Sequence, residues 1–139
     1  MTPSKAPLPL FGTWKLASCE SSMPELPHPA SGITTFAQAG DVVHYTSDGV
    51  WTDGGHRSVM ATIPLDGTWC AVAGSAVTDS LSMTQLPDGS FEAKGKKGGD
   101  DVVTTALTFS ADGQTMMGHW IFIGPNDTTI TWKTTHERQ

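Results

Sequence analysis

Five histidines, His28, His44, His56, His119 and His136, are the side chains that can change charge or bind a metal near neutral pH. Their spacing does not build a metal site, because no His-x-His or HExxH pair occurs, and none is expected. His119 stands in Met116-Met117-Gly118-His119-Trp120, a run of large groups suited to a cavity wall. Adjacent residues of a strand face opposite ways. Either His119 enters an interior and meets a ligand, or it lies on the surface with Trp120 in the core. Catalysis would need a base or nucleophile with an orienting partner. His44, Tyr45, Asp79 and His119 are the available groups, yet no Ser-His-Asp, Cys-His or paired-carboxylate spacing marks them, so no catalytic residue is assigned. Gly95, Gly98 and Gly99 follow no strand-to-helix pattern and make no phosphate loop.

The elements that must position these groups read as strands. Five Asp-Gly pairs, at 48–49, 53–54, 66–67, 88–89 and 112–113, punctuate the chain together with Gly98-Gly99 and Gly124-Pro125-Asn126-Asp127. Each supplies the positive φ that hairpin turns use. After residue 40 the turn signals recur mostly every 8 to 13 residues, too close for helical crossovers between parallel strands. Between them the residues are β-branched or aromatic, with no 3.6-residue period. Strands are expected at 11–20, 31–38, 41–52, 56–63, 67–74, 77–86, 90–97, 101–110, 114–123 and 127–136. The fold class is all-β, a single antiparallel up-and-down β-barrel of about 8–10 strands with little helix, since closure removes the edges of so long a meander. Asp48-Gly49 falls inside the third strand and is expected to mark a bulge or bend. Residues 21–31, with prolines at 24, 27 and 29, are expected to form an extended loop over one end.

Alternate residues of a barrel strand enter the lumen. Leu81 with Met83, Phe91 with Ala93, and Leu107 with Phe109 have polar neighbours and are placed inside, as lumen lining or as packed core. Asp79 shares the parity of Leu81, and its alternative is a solvated turn position. The candidate ligand contacts are Tyr45, Leu81, Met83, Phe91, Leu107, Phe109 and His119.

The opening run Phe11-Gly12-Thr13-Trp14-Lys15-Leu16 resembles the Gly-x-Trp signature shared by lipocalins, fatty-acid-binding proteins and their bacterial lipocalin-like relatives. Gly67 to Gly99, Phe109 to Thr115 and the stretch His136-Glu137-Arg138-Gln139 are similar to small uncharacterised lipocalin-like proteins of soil bacteria. The resemblance implies a lipocalin-like (calycin) barrel with Trp14 plugging its closed end and a basic side chain of the last strand, Lys133 or Arg138, packed across the ring. It implies a container for a small apolar or amphipathic ligand. The alternatives are a lumen enzyme of isomerase or cyclase type, haem binding through His119 or His136, and a barrel that serves only as an interaction surface. Two departures argue against a simple fatty-acid carrier. The proline-rich loop replaces that branch's helical lid, and Thr134-Thr135-His136 stands where its carboxylate-holding Arg-x-Tyr would be.

The 139 residues suit one domain, 1–139, with 1–10 expected to be a flexible N-terminal segment. A net charge of −6 excludes phosphate-backbone binding as a main role, and Lys94, Lys96 and Lys97, followed by Asp100 and Asp101, read as a solvated hairpin tip. No apolar run reaches the ~18 residues of a membrane span, and the start MTPSKAPLPLFG lacks a secretory signal, so a cytoplasmic location is expected. Cys19 and Cys70 are then expected to be free thiols. No cofactor is implied, and the expected partner is the small ligand, with the protein a monomer or homodimer.

Overall fold

A computed structural model of the chain describes residues 9–75 and 77–139. Ten strands follow in order: β1 (Gly12–Ser21), β2 (Pro29–Ala39), β3 (Val42–Trp51), β4 (His56–Pro64), β5 (Cys70–Ala73), β6 (Ser80–Gln85), β7 (Phe91–Lys97), β8 (Asp100–Phe109), β9 (Thr115–Ile123) and β10 (Thr129–Arg138). Each pairs antiparallel with the next, and β10 returns to β1, closing the barrel. Among the described residues the one helical piece is a 3₁₀ turn, Pro125–Asp127.

The turns form as the Asp-Gly pairs predict. Asp53, Asp66, Asp88 and Asp112 each accept a hydrogen bond from the backbone N–H two residues on, at 2.8–3.1 Å, while the following glycines take φ of 70–90°. Asp48-Gly49 differs. β3 runs through it in unbroken register with both neighbours, and the irregularity lies in β2, between Pro29 and Ser31. Gly49 faces Gly32 across the pair, and a Cβ there would strike the Ser31 carbonyl, so the glycine serves close backbone approach and not a bulge.

Two strands are shorter than expected. The Asp66 turn takes residues 67–69 out of β5, and Gly74, at φ 85°, ends it. β6 starts three residues late because the Ser75 hydroxyl accepts the Val77 and Thr78 N–H groups, both at 3.1 Å, and holds them in a loop. The segment between β1 and β2 contains no helix and is tied down at both ends. Ser22 N–H donates to Thr131 O (2.9 Å), and Thr52 N–H donates to His28 O (2.8 Å).

The closed end is built around Trp14, which is fully buried and donates its indole N–H to Leu10 O at 3.0 Å. Phe109 packs on it at 6.0 Å between ring centroids, and Phe91 packs on Phe109 at 6.1 Å. Arg138 supplies the basic cover, 4.3 Å above the ring, whereas Lys133 is exposed. Its guanidinium donates to Phe11 O and Pro9 O, both at 2.6 Å, and to Gly113 O at 2.8 Å. Gly12 has φ 131°, and a Cβ on it would lie 2.5 Å from the Arg138 Nη1, which gives the Gly-x-Trp pair its physical basis. Of the segment expected to be flexible, residues 1–8 lie outside the described residues. Pro9 and Leu10 are held by these contacts, and Leu10 is fully buried.

Candidate functional site

Above this floor the barrel encloses a cavity of about 480 Å³. Its walls follow from strand alternation. From floor to mouth, β9 turns Met116, Gly118, Trp120 and Phe122 inward, and β10 turns His136, Thr134 and Trp132 inward, with Arg138 beneath. Phe36, Ile63, Met83, Leu107 and Leu16 line the deep part, and Tyr45, Val59, Val72, Leu81 and Ala93 the rest of the wall. At the mouth four aromatic rings interlock: Trp132 lies 4.4 Å from Phe122, 5.3 Å from Trp51 and 6.2 Å from Trp120. Gly118 makes this possible, because a Cβ there would stand 2.5 Å from the Trp120 Nε1. The indole instead lies over Thr134 and donates to its hydroxyl at 2.9 Å. Pro27 and Pro29 border the opening. Arg57, also on the rim, stacks 4.0 Å over Trp51 and is held by the Asp53 carboxylate at 3.1 and 3.3 Å.

Few polar groups face this space. Thr34 and Ser47 share a hydroxyl contact of 3.2 Å. Burial pushes the Tyr45 phenol above its ordinary pKa, with the Ser47 hydroxyl pulling the other way. His136 is 8% exposed, and neither ring nitrogen has a hydrogen-bond partner. Burial lowers its pKa from 6.5 to about 4, so the ring is neutral at pH 7.

The expected contacts divide three ways. Tyr45, Leu81, Met83 and Leu107 line the cavity. Phe91 and Phe109 face inward but belong to the packed floor around Trp14, a step below it. His119 points outward and is exposed, opposite Ala106 and Lys133, because Trp120 takes the interior of that strand pair; it does not reach the cavity. Of the two histidines considered for haem, only His136 faces the space. The catalytic candidates do not converge. His44 is exposed and bonds Thr62 at 3.1 Å, and exposed Asp79 caps the β7–β8 turn by accepting Gly98 N–H at 2.9 Å, leaving Tyr45 alone inside. Cys19 and Cys70 are unpaired, and burial raises both thiols, Cys19 to about 11, so neither is an activated nucleophile.

The aromatic mouth was not foreseen from the sequence, and His136 entered only as an alternative haem ligand. The signal for His136 was present: the parity that sets Arg138 on Trp14 also puts residue 136 inside.

Solved structures decide the architecture. The zebrafish ileal bile acid-binding protein complexed with cholic acid matches with a TM-score of 0.58 at 11% identity, over 94% of this chain and 99% of that one. The likeness is one of fold, a closed antiparallel barrel. The bovine odorant-binding protein complexed with its natural ligand matches with a TM-score of 0.55 at 14% identity, over 100% of this chain and 77% of that one. No family model and no curated protein matches the sequence. Among the described residues, no helix is long and apolar enough to cross a membrane.

Proposed function

We propose that this calycin-like barrel is a binding protein that holds one small apolar or amphipathic molecule in its lumen. The observation that carries the reading is the cavity itself: about 480 Å³, within the usual size range of small-molecule sites, walled by aliphatic and aromatic side chains with a few polar groups. Tyr45, Leu81, Met83 and Leu107 are its wall contacts, and the tryptophans of the rim border the entry. The bile acid-binding and odorant-binding proteins of the same fold support it, as their structures hold small ligands. The two unpaired thiols fit a reducing, cytoplasmic setting.

The test is titration with N-phenyl-1-naphthylamine, an uncharged apolar fluorophore, alongside native mass spectrometry of the purified protein. Saturable enhancement at one site is expected, weakened at least tenfold by Met83→Trp, which fills the space, and unchanged by His119→Ala on the outer face. Absence of saturable binding would remove the container reading. A Soret band in the purified protein would replace it with haem coordination.

A further inference from the structure

We propose that the His136 ring is the hydrogen-bonding anchor of the cavity and that it selects uncharged, hydroxyl-bearing apolar molecules over the corresponding carboxylates. The proposal rests on the container reading and adds the chemistry of the ligand's polar end. Four observations support it. His136 sits one inward step above Arg138 and the Trp14 floor, flanked in register by Leu16 and Met116, so a polar group there is reached only by the leading end of a ligand that has entered head first. Both of its nitrogens are buried without a protein partner, a state that folded proteins rarely keep unless a water or a bound group completes it. Among the other polar groups of the wall, Thr34 is engaged with Ser47 and Thr134 with the Trp120 indole, and Ser47 also bears on the Tyr45 phenol.

The fourth observation concerns charge. Arg138 lies under Trp14 with three backbone carbonyls as partners, and Arg57 on the rim is held by both oxygens of Asp53. Lys94, the remaining cation of the lining, is exposed and pairs with Glu92 at 3.6 Å, so a carboxylate driven to the floor would leave water without meeting a free cation. A neutral imidazole offers one donor and one acceptor, and a hydroxyl complements both, whereas an ionised carboxylate only accepts. Apolar walls then fit the hydrocarbon of an alcohol or phenol.

The experiment is competition at pH 7.5 between bound N-phenyl-1-naphthylamine and two probes of equal chain length, decan-1-ol and decanoate. Decan-1-ol should displace the fluorophore at roughly tenfold lower concentration than decanoate, the effect of about one net hydrogen bond. His136→Phe, which keeps a ring and removes both nitrogens, should weaken decan-1-ol about tenfold relative to the fluorophore, whose own affinity is titrated on the same variant. His136→Gln, whose amide both donates and accepts, should restore part of the loss. Equal competition by the two probes, or decan-1-ol binding untouched by His136→Phe, would overturn the anchor and leave the container standing. Failure of the fluorophore to bind wild-type protein would remove both. Should the variants not fold, the ring ¹⁵N shifts of His136 in labelled wild-type protein decide: a change on saturation with decan-1-ol is expected, and none would refute the contact.

Discussion

Acidification from pH 7.5 to 4.5 should destabilise this barrel through a single buried ring. His136 titrates at 6.5 when exposed and at about 4 in the folded chain, where burial opposes its charged form. Between those values the unfolded chain holds a proton that the folded chain does not, so stability is full above 6.5 and falls as the pH is lowered towards 4. A displacement of this size corresponds to about 3 kcal/mol, a large share of the 5–15 kcal/mol that holds a typical domain. The aspartates of the hairpin turns, Asp53, Asp66, Asp88 and Asp112, are held below the usual carboxylate range by side-chain and backbone hydrogen bonds. Their contribution is present above the ordinary carboxylate pKa and is lost only below about pH 4, outside the histidine's window. Urea unfolding followed by far-UV circular dichroism at intervals from pH 7.5 to 4.5 separates the two. His136→Phe should gain about 1–3 kcal/mol at pH 7.5 by removing two unsatisfied buried nitrogens. The wild-type and variant stabilities should then diverge further on acidification. Parallel curves down to pH 4.5 would refute the buried, unpartnered ring and with it the basis for an anchor.

Trp14→Ala should cost about 3–5 kcal/mol in a denaturant titration, the range for deleting a buried large aromatic, and a loss under about 1 kcal/mol would deny it the role of floor. Arg138→Lys should destabilise the protein by about 1–3 kcal/mol although charge is kept, since one ammonium cannot reproduce the planar fork that reaches three carbonyls; unchanged stability would count against the clamp. Gly118→Ala should push the Trp120 ring off Thr134 and shift the tryptophan emission, while an unaltered spectrum would mean that the close approach is not required. Intact mass should not rise on reduction of freshly prepared protein, because Cys19 and Cys70 are unpaired.

The barrel was legible in the sequence because turn chemistry is local: an aspartate accepting its own backbone and a glycine at positive φ announce themselves without tertiary context. Trp14 was legible through the opening motif, and its basic partner only as a choice between Lys133 and Arg138. Strand interiors were harder. Leu81, Met83 and Leu107 alternate with polar neighbours and could be placed by parity, but the same rule could not separate lumen from floor, which is why Phe91 and Phe109 came out one layer too low. His119 and Trp120 pose a choice that parity states and does not answer; the strand pair settles it by burying the larger apolar ring. β10 defeats hydropathy altogether, since its inward set is Trp132, Thr134, His136 and Arg138, and only the position of Arg138 reveals the phase. Asp48-Gly49 misled for a related reason: a glycine in a strand signals either a bulge or a neighbour's close approach, and here the neighbour is Gly32.

The Arg138 clamp also sets the order of events in folding. Every hairpin from β2 to β10 can form between sequence neighbours, but the bond from Arg138 to Phe11 O joins residues 127 apart. Bringing together the ends of so long a loop costs roughly 4 kcal/mol in chain entropy beyond a constant, and the contacts at the floor return it only once the seam between β1 and β10 has zipped. A chain whose other strands had paired before that seam would be an open sheet with two bare edges, each able to pair with another copy. Refolding yield should therefore fall with protein concentration, and sealing the seam, more than forming any strand, governs how much chain reaches the native barrel.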